Sequence, residues 1–163
     1  MDTVRVVGGA GTGPTEMAAY DAALADANLH QYNLVHISSI IPAGATVRTV
    51  TDAPSLGSPG DRLFVVEARA TAGSAVTAGV AWAMPETGSG IVYEAAGVGR
   101  DASVEPDLEA GITSGLAIRG LDVARENRDR HVVEHGPPED GYATAVVLAV
   151  FGRGRPILDL PSA

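Results

Sequence analysis

A chain of 163 residues, 45% hydrophobic and 19% charged, has the length of one ordinary globular domain and needs no disulfide or metal scaffold to fold. It contains no cysteine, and all eleven of its basic residues are arginine. That excludes thiolate metal sites, thiol nucleophiles, the phosphate-loop lysine, lysine Schiff bases and the attachment of pyridoxal phosphate.

Twenty Asp and Glu against those eleven arginines give a formal charge of -9, the wrong sign for gripping nucleic-acid phosphates. No apolar run reaches the roughly 18 residues of a membrane helix, and Met1-Asp2-Thr3-Val4-Arg5 lacks the layout of a secretory leader. The expected setting is cytoplasmic. The acidic, lysine-free composition suits either a salt-rich cytoplasm, which screens self-repulsion, or a GC-rich genome that replaces Lys codons with Arg.

In chain order, Thr3-Val4-Arg5-Val6-Val7 reads as a short strand running into a glycine-rich turn, Gly8 to Gly13. Pro14 then opens a helix of Thr15 to about Ala27, with Thr12 or Gly13 as cap and Met17, Ala18, Leu24 and Ala25 as its apolar stripe. Tyr32 to Ile37 reads as a strand, followed by Ser38-Ser39 and the apolar Ile40-Ile41-Pro42. Residues 51–61, with paired prolines, glycines, serines and aspartates, make a surface loop. Strands follow at Leu63–Ala70, Ala75–Met84 and Ser89–Ala95. A helix of about Glu105 to Asn127 carries Leu108, Ile112, Leu116 and Val123 on one face. Gly111, Gly115 and Gly120 weaken it, by up to about 1 kcal/mol each unless close packing offsets the cost. The last strand is Tyr142–Phe151. With no internal repeat and no linker, the pattern predicts a single α+β domain whose helices pack on sheet faces.

Gly8 to Gly13 sits where phosphate loops live, but the required lysine is missing and Pro14 stands where the dinucleotide motif needs glycine. The run reads better as a turn that lets another backbone or a small ligand come close. His30, His36, His131 and His135 read as solvent-facing. His131 and His135 fall on a strand that ends at Gly136-Pro137-Pro138, too far apart along it to share one ion, so no metal is expected.

Asn33-Leu34-Val35-His36-Ile37-Ser38-Ser39-Ile40-Ile41-Pro42 resembles the self-cleavage segment of pyruvoyl-dependent arginine decarboxylases. Gly88-Ser89-Gly90-Ile91-Val92-Tyr93-Glu94 is similar to the second active-site block of that family, and the glycine run and the helix carrying Asp21 match upstream. One departure is Ala43, where many members have a second proline; it lies outside the chemistry. The resemblance implies a layered sheet/helix sandwich of the pyruvoyl-dependent arginine/histidine decarboxylase type, assembled as a homotrimer or a multiple of one with sites between subunits. It also implies self-cleavage into residues 1–38 (β chain) and 39–163 (α chain). The Ser39 hydroxyl would attack the Ser38 carbonyl, elimination would cut the chain, and hydrolysis would leave a covalent pyruvoyl group at position 39.

Decarboxylation of an amino acid needs an electron sink, and a pyruvoyl carbonyl made from Ser39 would supply one without pyridoxal phosphate. The implied reaction turns L-arginine into agmatine and carbon dioxide, a step of polyamine biosynthesis. Glu94 would donate the proton to carbon, its pKa raised by burial among Ile91, Val92 and Tyr93. Asn33 would support the cleavage site, and Asp21 would meet the substrate guanidinium as a paired acceptor. A different amino acid as substrate, or an unprocessed ligand-binding relative, are the alternatives.

Overall fold

The computed structural model describes residues 3–100 and 103–158; Met1 and Asp2 of the stretch read for a leader lie outside them. Nine strands and two helices follow in the order β1 (Thr3–Gly13), α1 (Glu16–Asp26), β2 (Asn33–His36), β3 (Ile40–Ile41), β4 (Thr46–Val50), β5 (Arg62–Ala72), β6 (Val76–Ala83), β7 (Gly90–Val98), α2 (Val104–Arg119), β8 (Arg128–His135) and β9 (Tyr142–Arg155). One sheet runs β2-β5-β9-β1-β4 and the other β3-β7-β6-β8.

The layers are α1, the five-stranded sheet, the four-stranded sheet and α2. Between the sheets lie Val66, Ala68, Val147 and Ala149 against Val76, Ala78, Val80 and Val92. Leu63, Val65, Val146 and Leu148 face α1, and Ala81, Ala83 and Ile91 face α2. Strand β5 therefore alternates between two cores with period two. Strand β6 is buried at every position, as expected for an inner strand covered on both faces. The α+β class and the layered sandwich agree with the sequence reading.

The glycine run is not a turn. It forms the second half of β1, paired residue by residue with β9 from Gly8↔Val147 to Gly13↔Tyr142. Alternate glycines face α1. A Cβ on Gly11 would lie 2.6 Å from the Ala23 nitrogen and one on Gly13 2.5 Å from the Ala19 nitrogen, while one on Gly9 would collide with the Ala23 carbonyl. The missing side chains let the helix backbone rest on the strand. The expected approach of another backbone is real, and that backbone is α1.

This seating also rotates the helix. Ala19, Ala23 and Leu24 are buried, whereas Met17 is 69% exposed and Ala25 is exposed, because the glycine groove admits methyl groups and has no room for Met17. The cap is Thr15, whose side-chain oxygen accepts the Ala18 N–H at 3.1 Å, rather than Thr12 or Gly13.

Helix α2 stops at Arg119, eight residues before the expected end, because Gly120 takes the left-handed conformation (φ 61°) that closes a helix. Leu108, Ile112 and Leu116 are buried as expected; Val123 is buried too, but beyond the helix. Loop 51–61 is not wholly at the surface, since Ala53 and Leu56 are buried under the α1 layer. No described helix is long and apolar enough to cross a membrane.

Candidate active site

The segment from Asn33 to Ile41 crosses from one sheet to the other. Strand β2 pairs in parallel with β5, from Asn33↔Arg62 to His36↔Val65, and the Ile37 N–H donates to the Val65 carbonyl at 2.9 Å. Two residues later the partner has changed. The Ser39 carbonyl accepts the Val92 N–H at 3.0 Å, and β3 continues antiparallel to β7 through Ile40↔Ile91 and Ile41↔Gly90. The Ser38–Ser39 peptide thus spans the gap between the two ladders. Across it the Ile40 N–H donates to the Ser38 carbonyl at 2.9 Å, closing a three-residue turn about Ser39. Ser38 is exposed and Ser39 half-buried, and the fully buried Ile41 anchors the segment.

The same strand pairing brings Glu94 near. It lies two residues beyond Val92 on β7, about 7 Å along the strand and on the same face. Two positions 55 residues apart in sequence thereby share one end of the sandwich.

The expected burial of Glu94 among Ile91, Val92 and Tyr93 is not found, since the side chain is exposed in the chain. Strand alternation explains the difference. Ile91 and Tyr93 point toward α2, while Val92 points into the core between the sheets, and Glu94 follows Val92 on that face beyond the covered region. Tyr93 is held from behind: its ring fills the space that side chains at Gly111 and Gly115 of α2 would occupy, with a Cβ on Gly115 falling 2.5 Å from the ring. Those two helix glycines form the seat of the residue that precedes Glu94.

Asn33 and Asp21 are not joined to the pair of Ser39 and Glu94. The Asn33 side chain donates to the Gly60 carbonyl at 2.7 Å, and its position is about 16 Å up the strand from Ser38. Asp21 is exposed on α1. No hydrogen bond among the described residues joins either one to Ser38, Ser39 or Glu94.

Sequence reasoning missed a polar cluster beside this segment. Glu67 of β5 has a side chain only 4% exposed, and its Oε2 lies 2.6 Å from His36 Nε2 and accepts the Tyr20 hydroxyl at 3.1 Å. The Arg69 guanidinium stacks over the Tyr20 ring, 4.3 Å from its centroid. Burial first, and the charge of Glu67 second, push the Tyr20 phenol above its ordinary pKa, which keeps it a donor. The available signal was parity: from Val65, the period-two pattern puts Glu67 on a covered face, where a carboxylate is unusual. His36 is therefore engaged rather than merely solvent-facing. His131 is half-buried, packed over Gly8, and burial lowers its pKa. No group of three or more metal-ligating side chains occurs among the described residues.

Two sheets between two helices, with a serine pair at the crossing point, are consistent with the fold of the pyruvoyl-dependent decarboxylases. The chain belongs to the pyruvoyl-dependent arginine decarboxylase family, whose sequence profile matches residues 3–156. It is 45% identical over 161 residues to the pyruvoyl-dependent arginine decarboxylase of Halobacterium salinarum strain R1, covering 98% of this chain and 99% of the relative. The protein of that name from Halobacterium salinarum strain NRC-1 matches equally. The one from Methanopyrus kandleri is 32% identical over 147 residues, covering 90% of this chain and 93% of the relative.

Proposed function

We propose that this chain cuts itself between Ser38 and Ser39, carries the resulting pyruvoyl group at position 39, and decarboxylates L-arginine to agmatine and carbon dioxide. The substrate follows the name shared by the family and its relatives. The observation that carries the self-cleavage is the Ile40 N–H on the Ser38 carbonyl at 2.9 Å, at a peptide anchored on each side by a different sheet. A donor on that oxygen stabilises the negative charge that develops when the neighbouring hydroxyl attacks the carbon.

The Ser39 hydroxyl adds to the Ser38 carbonyl and the amide nitrogen leaves, turning the peptide into an ester. Elimination across Ser39 then releases a Ser38 carboxylate, and hydrolysis with loss of ammonia leaves the pyruvoyl group. The residues present fit that group: a half-buried serine at the end of a crossing strand, with a carboxyl side chain two positions along the partner strand. Its ketone supplies the electron sink for loss of carbon dioxide.

Glu94 holds the proton for the substrate carbon. A donor working near neutral pH needs a carboxyl less solvated than Glu94 is in the single chain. A neighbouring copy meets that need. Ile40 and Phe64, 41% and 39% exposed, leave apolar surface beside the segment for another subunit to cover. Asp21 and Asn33, which make no hydrogen bond to Ser39 among the described residues of one chain, then serve the site of an adjacent copy. Asp21 offers two oxygens to the guanidinium fork, and the assembly is a homotrimer or a multiple of one.

The test is the intact mass of the purified protein. Processing gives fragments of about 4 and 13 kDa in place of 16.6 kDa, the larger with a blocked N-terminus at residue 39. Ser39→Ala, which lacks the nucleophile, stays one chain and releases no carbon dioxide from arginine. A single uncut 16.6 kDa chain in the native protein, or two normal fragments from Ser39→Ala, refutes the proposal.

A further inference from the structure

A carboxylate in the middle of a strand, on a face that buries Leu63 and Val65 four and two residues earlier, is costly unless it is well partnered. Glu67 is only partly so. Its Oε2 takes both the Tyr20 hydroxyl and His36, while Oε1 is buried with no partner. Packing alone would favour a third aliphatic residue here. The partners suggest another role. Tyr20 precedes Asp21, and His36 stands two residues before Ser38. Both lie in the segment 1–38, whereas Glu67 and Arg69 lie beyond the cut.

We propose that Glu67 is a positioning residue for self-cleavage, fixing the strand that enters the Ser38–Ser39 peptide through His36 and the helix that bears Asp21 through Tyr20. The inference rests on the processing reading above. Holding His36 on β5 keeps the last rung of that ladder, Ile37 N–H to the Val65 carbonyl at 2.9 Å, in register. The rung fixes the approach of the Ser38 carbonyl to the turn in which Ile40 bonds it. The Tyr20 ring, clamped between the carboxylate and the Arg69 guanidinium, fixes the other half. After the cut the same carboxylate ties the new end of the short fragment to the long one.

The experiment has two arms. In the first, processing of newly made chain is followed on denaturing gels for the native protein, Glu67→Ala, Glu67→Gln, His36→Ala and Val146→Ala. Val146 is fully buried in the same layer, opposite Arg69 on β9, so its truncation loosens the packing there while leaving the hydrogen bonds of Glu67 in place. Glu67→Ala is expected to slow cleavage about 10-fold or more, the scale of a lost charge-assisted hydrogen bond. Glu67→Gln keeps an acceptor for both partners and stays within about threefold of native, and Val146→Ala does the same. His36→Ala, which removes the donor at a 63% exposed side chain, slows cleavage without risk to folding.

In the second arm, amide hydrogen exchange at Ile37 is measured by NMR in the Ser39→Ala chain with and without Glu67→Ala, or with His36→Ala if Glu67→Ala does not fold. Exchange at Ile37 is expected to rise roughly 10-fold, while amides of β6 are unchanged. Native-rate processing in Glu67→Ala and His36→Ala, equal slowing in Val146→Ala, or unaltered Ile37 exchange overturns the proposal. If the native chain never cleaves, the processing reading fails, and the exchange arm still decides whether Glu67 positions this segment.

Discussion

Gly115→Ala sets two known effects against each other. Alanine in a helix interior is favoured over glycine by about 1 kcal/mol, so on propensity alone α2 gains. The new Cβ, however, falls 2.5 Å from Tyr93 Cε2 and 2.8 Å from its Oη, well inside van der Waals contact. The ring cannot retreat freely, because a Cβ at Gly111, one turn away, would itself lie 2.7 Å from Cδ1. Overpacking of this kind costs about 1–3 kcal/mol, so the net expectation is destabilisation by up to about 2 kcal/mol. For a chain of this size that lowers Tm by up to roughly 8 °C.

Removing the ring reverses the sign. In a Tyr93→Ala background the clash is gone, and Gly115→Ala stabilises by about 1 kcal/mol. The assay is urea unfolding of the four members of the cycle, all carrying Ser39→Ala so that each is one chain, at one protein concentration. Gly115→Ala stabilising the protein with Tyr93 in place, or acting with one sign in both backgrounds, refutes the seating of Tyr93 on α2.

Glu94→Gln keeps the Ser38–Ser39 chemistry and loses the proton donor, so the expected product is cleaved chain with turnover down about 10²-fold, measured as carbon dioxide release; near-native turnover assigns the proton elsewhere. Asp21→Asn breaks the paired contact with guanidinium and is expected to raise KM for arginine by roughly 10- to 100-fold with a smaller change in kcat, and native protein should prefer arginine to lysine, ornithine, histidine and aspartate. For His131 the folded pKa lies below the unfolded value of about 6.5, so on acidification the unfolded chain takes up the proton first. Its contribution to stability is complete above that pH and declines as pH falls from there toward the folded pKa. His131→Gln should therefore flatten the fall in Tm between pH 7 and 5.5, and an unchanged profile refutes the assignment.

Period-two and helical patterns made most strands and both helices legible, because one face of each element is buried and its apolar residues repeat with the geometry. The glycines of β1 misled because glycine signals a turn when taken singly, whereas Gly9, Gly11 and Gly13 repeat at the strand period and match the alanines of α1, a signal that lies in two segments at once. The end of α2 was hidden for a related reason: Gly120 looks like Gly111 and Gly115, but of the three only Gly120 takes the left-handed conformation at a helix end, the other two being packed against Tyr93. The serine pair was legible as a motif, but its position between two ladders depends on the pairing of β3 with β7, which no local pattern encodes. The exposure of Glu94 was unreadable for a related cause, since it depends on where the facing sheet stops covering β7. Glu67 could have been found, since it breaks the apolar parity of its own strand.

If the chain is cut as proposed, the place of the Ser38–Ser39 peptide has a consequence for the life of the molecule afterward. Residues 1–38 are no detachable tail: β1 lies between β9 and β4 inside the five-stranded sheet, and α1 covers that sheet's outer core. Because the break falls between ladders, every rung of β1 and β2 survives it. The cut protein is then a complex of two chains that fold only together. Its unfolding is a dissociation, and its recovery is a second-order encounter that slows with dilution, whereas the uncut Ser39→Ala chain refolds at a rate independent of concentration so long as assembly is not limiting. On the proposed processing, the protein reaches its working form only by folding first and breaking afterward, and a processed molecule that has once been denatured has no intramolecular route back.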